Sequence, residues 1–266
     1  MIFKTSAVSI VLALALAGSA VPQQTSTVQR DPRAIATLQA AVDAMGGSKA
    51  FAQLQAAIVQ GSIKPAPGVN SPPGNVVLED AFTSQGHEFR DSFQSGSLTQ
   101  VFVSGHGSPG LVSNAHSKKF LPAAAGARLA VHLPGIVLLE IIANANYSMA
   151  FVGSTSVNGL SALHVHIEDD SDPDRQTLSV QDWYFDPSSS LPLRVEYRVP
   201  DTTNASMFTN VAVQLSDFRV VQGITAPFQI AGYVEGKPQN LLLIGSVVFN
   251  HTVSSSDFDL PPGGAQ

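Results

Sequence analysis

The sequence contains no cysteine, which removes disulfides, thiolate metal sites and an acylated cysteine at a processing site. Charge is sparse as well: Asp, Glu, Lys and Arg make up 13% of 266 residues, with 14 basic against 20 acidic side chains. Nucleic acid and anionic membrane surfaces, which call for clustered Lys and Arg, are therefore poor partners. Long apolar runs are missing too, since a helix crossing the hydrocarbon core needs about twenty residues. The longest run, 7–17 (AVSIVLALALA), falls short of that, and 136–143 is interrupted by Glu140. No serine stands in a G-x-S-x-G turn, and Ser108 in His106-Gly107-Ser108-Pro109-Gly110 misses the first glycine, so no hydrolase nucleophile is nominated.

What is present begins with an export signal. Lys4 supplies a positive start, 7–17 an apolar stretch, and Gly18-Ser19-Ala20 small residues before a cut after Ala20. Residues 1–20 read as a signal peptide, 21–30 as a flexible linker, 31–261 as one domain and 262–266 as a frayed tail. Cleavage leaves 13 basic and 20 acidic residues, a net charge of -7. A chain of about 240 residues buries enough apolar surface to stand without disulfides.

Asp31-Pro32 gives an N-cap with proline at the first helical position. Ile35, Leu38, Val42 and Met45 follow at helical spacing, and Gly46-Gly47 ends the helix. A second short helix is expected to start at the cap Ser48 and carry Phe51 and Leu54. From Ile58 the period becomes that of strands. Leu193, Val195, Tyr197 and Val199 alternate with Arg194, Glu196 and Arg198; Leu163, Val165 and Ile167 alternate with His164, His166 and Glu168; Val211, Val213 and Leu215 alternate with Asn210, Gln214 and Ser216. Turns at Asn158-Gly159, Asp186-Pro187, Gln222-Gly223 and Glu235-Gly236 separate these strands without intervening helices, which predicts an antiparallel meander. The segment 133–143 (LPGIVLLEIIA) interrupts it as a helix apolar almost all round, hence buried. The loop 65–74 (PAPGVNSPPG) is too rich in proline and glycine for regular structure. The strand 241–249 (LLLIGSVVF) is apolar on both faces and is expected to need cover on both.

Four patterns suggest chemistry, and each has a plainer reading. Gly105, Gly107 and Gly110 match G-x-G-x-x-G, but Pro109 intrudes and no helix with a ribose-binding acid follows, so a hairpin turn is expected. His164, His166 and Glu168 share a strand face and could ligate zinc in a metal-assisted hydrolase; the same residues serve equally as the polar side of a half-buried strand. Asp169, Asp170, Asp172 and Asp174 offer oxygen ligands for calcium but lack the central glycine and closing glutamate of a calcium loop, so a solvated hairpin tip is expected. The triplets at Asn146, Asn204 and Asn250 are sequons that matter only in a glycosylating host. No metal, cofactor or catalytic residue is assigned.

The second half carries a more specific pattern. Asp182-Trp183-Tyr184-Phe185-Asp186-Pro187 leads to Leu191-Pro192-Leu193-Arg194-Val195, then Leu215-Ser216-Asp217-Phe218-Arg219 is followed by Val221-Gln222-Gly223-Ile224-Thr225-Ala226-Pro227-Phe228. Phe249-Asn250 and Asp257-Phe258-Asp259-Leu260-Pro261 close it. Over roughly 178–261 the chain resembles the LolA-like superfamily of periplasmic lipoprotein carriers and lipoprotein sensors. That resemblance implies a mainly β fold with a few helices, an open, strongly curved antiparallel sheet or half-barrel with helices closing the concave face. It further implies a soluble, non-enzymatic, periplasmic or secreted module of the cell envelope that shelters acyl chains or a lipoprotein. On that reading the cavity is lined by Val137, Leu138, Ile141 and Ile142 from the apolar helix and by Val213, Leu215, Phe228 and Ile230 from the strands. The alternative is a sensor or adaptor that binds an envelope protein and whose interior is a filled core.

Overall fold

The computed structural model describes residues 28–83, 86–105, 108–113, 117–120, 129–169, 179–200 and 208–259. Among these, thirteen strands form one antiparallel sheet in the order β6-β5-β4-β3-β2-β1-β13-β12-β11-β10-β9-β8-β7. The chain runs outward from β1 (Ala56–Pro65) through β2 (Gly74–Thr83), β3 (Gly86–Ser95), β4 (Leu98–Gly105) and β5 (Ser108–Ser113) to β6 (Ser117–Phe120) at one edge. It reaches the other edge through helix α3 (Pro134–Ala143) and returns inward from β7 (Tyr147–Val157) through β8 (Leu160–Asp169), β9 (Gln181–Phe185), β10 (Pro192–Pro200), β11 (Phe208–Val221) and β12 (Ile224–Val234) to β13 (Lys237–Phe249). Pairing of β13 with β1 joins the two meanders. The sheet does not close; it is open and curved, as the resemblance implies.

The hairpins form where local chemistry demands them. At Asn158-Gly159, Gln222-Gly223 and Glu235-Gly236 both turn residues have positive φ, the backbone of the tight turn whose twist matches that of paired strands. At Asp186 the carboxylate accepts from the Ser188 amide at 2.8 Å and the chain folds back so that Asp186 N–H donates to Leu191 O.

Helix α1 (Pro32–Ala44) starts as expected, with the Asp31 carboxylate accepting from Arg33 N–H and proline in the first turn. Its face of Ala34, Leu38, Ala41 and Val42 is buried, and Met45 beyond it as well. The short helix α2 (Gly47–Phe51) begins one residue before the expected cap: Gly46 is the N-cap without a side-chain bond, Ser48 lies inside the helix, and Leu54 follows its end. Gly135 lets α3 approach the Phe51 ring, because a Cβ there would collide with it. All three helices share one apolar cluster with the inward faces of β1, β2 and β8 to β13.

The strand 241–249 departs from expectation. Gly245 has no partner on β1, since Gln60 pairs with Ser246 and Gly61 with Ile244. This β-bulge reverses the parity of the strand. Leu242 and Ile244 point inward before it and Val247 and Phe249 after it, while Gly245, Ser246 and Val248 are exposed. Apolar residues of both parities thus serve one face over much of the strand. On the opposite face, Phe258 of the 3-10 turn Ser255–Phe258 packs with Ala81 and Val103 as a small second core.

The segment before α1 is tied down as well. Gln29 and Arg30, the last residues of the expected linker, join the edge strand β7: Met149 N–H donates to Gln29 O at 2.7 Å and Asp31 N–H to Met149 O at 2.9 Å. The Arg30 guanidinium donates to Ile142 O at 2.7 Å and Asn144 O at 2.8 Å. A cation thus satisfies carbonyls that the C-terminus of α3 leaves open. Replacing Arg30 by alanine is expected to cost about 1.5–3 kcal/mol, the range for hydrogen bonds to charged groups, read as a lowered denaturant midpoint with unchanged slope. An unchanged midpoint would show that water replaces the guanidinium without loss. The expected signal peptide 1–20, residues 21–27 of the linker and the tail 262–266 lie outside the described residues.

Candidate functional site

The inward face of the sheet, with α1 and α3 laid against it, brings together the eight side chains nominated from the sequence. Val137, Leu138 and Ile141 of α3 are buried at 5%, 0% and 3% exposure, so this face of the helix meets packed neighbours. Val213 and Leu215 of β11 and Phe228 and Ile230 of β12 are buried in the same cluster, Leu215 directly opposite Ile230 across the strand pair. Ile142 lies half-buried at its margin. Burial of each aliphatic group there is worth roughly 1.5–3 kcal/mol. Among the described residues no helix is long and apolar enough to cross a membrane.

A polar group sits inside this apolar surface. Asp80 of β2 continues the inward parity of Val76 and Leu78 and is 1% exposed. Its two oxygens meet two imidazoles: His87 Nε2 of β3 at 2.8 Å and His132 Nε2, just before α3, at 2.7 Å. Burial alone would raise this carboxyl, but the pull of His132 and then His87 outweighs it and holds Asp80 well below the usual carboxylate range. Phe82 stacks on His87 with ring centroids 5.1 Å apart. Glu140 of α3 is raised above the ordinary glutamate value by desolvation, against the opposing attraction of His87. Sequence reasoning did not single out this group. The available signal was an aspartate in an otherwise apolar inward register; its partners come from other elements.

The histidines that were singled out lie on the outer face. His164 and His166 of β8 both reach across to Asp182 of β9, His164 Nε2 at 2.7 Å and His166 Nδ1 at 2.9 Å from the same oxygen. Glu168 stands further along the strand opposite Ser148, so the carboxylate these imidazoles share is Asp182 and not the one nominated. The hydrogen bond that His166 makes to the Asp182 carboxylate raises His166, with burial opposing. At Asp182 itself burial pulls upward, but His166 and His164 together lower it. Tyr184 stacks on His164 at 4.6 Å and is pushed up to about 12, by burial first and then by the charges of Glu196 and Asp182. A surface cavity of about 310 Å³ adjoins this row, lined by Asp182, Arg194, Glu196, Arg198 and Asn210 among others. Among the described residues no group of three or more His, Cys, Asp or Glu is arranged to hold a metal.

The remaining patterns resolve into ordinary structure or lie outside view. Gly105 ends β4 and Gly110 lies in β5, a hairpin, while Gly107 is outside the described residues. Of the acidic run only Asp169 is described, and it is buried, not a solvated tip, with its N–H donating to Ser179 Oγ at 2.6 Å. Asn250 has positive φ and accepts from Gln55 N–H, a structural role at the end of β13.

No protein-family model and no curated protein matches the sequence. Solved structures do match the fold. A domain described as an outer membrane lipoprotein-sorting protein from Vibrio parahaemolyticus aligns with TM-score 0.56 and 13% identity over 85% of this chain and 96% of its own. A DUF1329 family protein from Desulfovibrio piger aligns with TM-score 0.56 and 12% identity over 85% and 97%, and a LolA superfamily protein from Nitrosomonas europaea with 0.53 and 12% over 85% and 97%. Identity this low carries the fold and nothing finer: the fold is LolA-like.

Proposed function

We propose that this LolA-like chain is an exported, non-enzymatic module of the cell envelope whose concave face holds the acyl chain of a lipid or lipoprotein. The observation that supports it most is α3. Six of its ten residues are buried, it packs chiefly on α1 and α2, and its apolar side chains belong to the same cluster as Val213, Leu215, Phe228 and Ile230. Contacts of this kind are non-directional, so an acyl chain can replace the apolar contacts that these side chains make.

The test uses the folded mature chain and a fluorescent acyl ester, the methyl ester of cis-parinaric acid. Saturable binding of about one probe per chain is expected; a folded protein that shows no saturable signal overturns the reading. Export is checked separately by N-terminal sequencing of protein recovered outside the cytoplasm, which should begin near Val21. An intact Met1 there removes the signal-peptide reading.

A second reading, an adaptor that binds an envelope protein, is favoured by the polar outer cavity beside Asp182 and Arg194. It gains if acyl probes fail to bind.

A further inference from the structure

We infer that the head-group end of the acyl site is the cavity beneath the loop 66–73, and that it takes the uncharged glyceryl head of an acylglycerol. This rests on the acyl-chain reading above and adds the chemistry of the ligand's polar end.

The cavity measures about 270 Å³ and lies at the end of the inward face. Its floor is Ile63 and Phe93, its wall the amides Gln100, Gln239 and Asn240, and its roof the loop at Val69 and Pro72. Register places it on the same face as the apolar cluster: Ile63 is opposite Leu242, Phe93 is opposite Val76, and both partners belong to that cluster. The roof is held at both ends, by Ala66 N–H donating to Gln239 O at 2.8 Å and by Ser95 Oγ donating to Pro73 O at 2.5 Å. Phe93 is fixed from behind, since its ring lies so close to Gly74 that a Cβ there would clash.

The lining decides the ligand class. None of the lining residues is charged, so a carboxylate or phosphate entering it would lose hydration and meet no cationic partner. Three side-chain amides offer both donors and acceptors, which matches hydroxyls, groups that do both. A glyceryl ester head has about eight heavy atoms, and a cavity of about 270 Å³ admits it. Along the same face Phe102 and Phe89, with centroids 5.2 Å apart, continue the apolar surface away from the head site. Asp91 stands between Phe93 and Phe89 on this face, opposite Phe102, so an acyl chain leaving the cavity runs along the two rings beside one carboxylate.

The experiment is displacement of the bound cis-parinaric methyl ester by monoolein, oleate and methyl oleate at pH 8, with wild type, Gln100→Leu and the double variant Gln100→Leu, Asn240→Leu. Monoolein is expected to displace the probe at about tenfold lower concentration than oleate and several-fold lower than methyl oleate. The double variant should bring monoolein to the level of methyl oleate while leaving methyl oleate unchanged. Gln100 is exposed, so its single replacement keeps the fold and should already narrow the preference if the double variant does not fold. Oleate equal to monoolein, or a preference untouched in the variants, overturns the glyceryl assignment and leaves the acyl site standing. A probe that does not bind the folded wild-type chain overturns both.

Discussion

Replacing Leu138 by aspartate is expected to lower the melting temperature by roughly 10–20 °C, at about 2–4 °C per kcal/mol for a domain of this size. Leu138 has no exposed surface and belongs to the cluster that the helices share with the sheet. The substitution removes buried apolar area and leaves an unpaired charge in its place, mechanisms that place single changes at about 4–5 kcal/mol. Ile142→Asp, at the half-buried margin of the same helix, should cost much less. Calorimetry on both variants checks the contrast. Equal and small shifts would mean that α3 is displaced from the sheet in solution, so that Leu138 meets water.

The second large effect is expected at Asp80. Asp80→Ala leaves His87 Nε2 and His132 Nε2 without the carboxylate between them, and removal of one partner from a buried polar pair costs about 3–5 kcal/mol. The pH dependence follows from linkage. The folded carboxyl lies well below its ordinary value, so its contribution is present in full above the unfolded value of about 3.9 and is lost as pH falls from about 5 toward the folded value. Wild-type stability, measured by denaturant titration from pH 7 to pH 2.5, should therefore fall in acid more steeply than that of Asp80→Asn. Parallel curves for the two proteins would show that Asp80 does not carry the acid sensitivity.

Much of the architecture was legible because it is written locally. Asn158-Gly159, Gln222-Gly223 and Glu235-Gly236 state their turns within two residues, and the alternation of β8, β10 and β11 gives the inward face correctly at Val165, Val195 and Val213. Pro134 and the all-round apolar run gave α3 and its burial. The eight nominated side chains do share one cluster, because apolar parity and sheet order together leave them a single place to go. What failed was information held between distant segments. The Gly245 bulge reads as a strand apolar on both faces until Gln60 and Gly61 of β1 are beside it. Glu168 looked like the third member of the histidine group because it is near in sequence; Asp182 holds that place because β9 is near in space.

The sequence by itself determined the class of this protein: strands, hairpins, one buried helix, and no cysteine or catalytic motif, since periodicity and turn chemistry act over a few residues. Only the tertiary structure decided which polar groups matter. Asp80, His87 and His132 come from two strands and the lead into α3, Arg30 reaches α3 from before α1, and the loop 66–73 meets Gln239 across the sheet. Side chains carry no mark of partners fifty or a hundred residues away; chain folding alone brings their hydrogen bonds within reach.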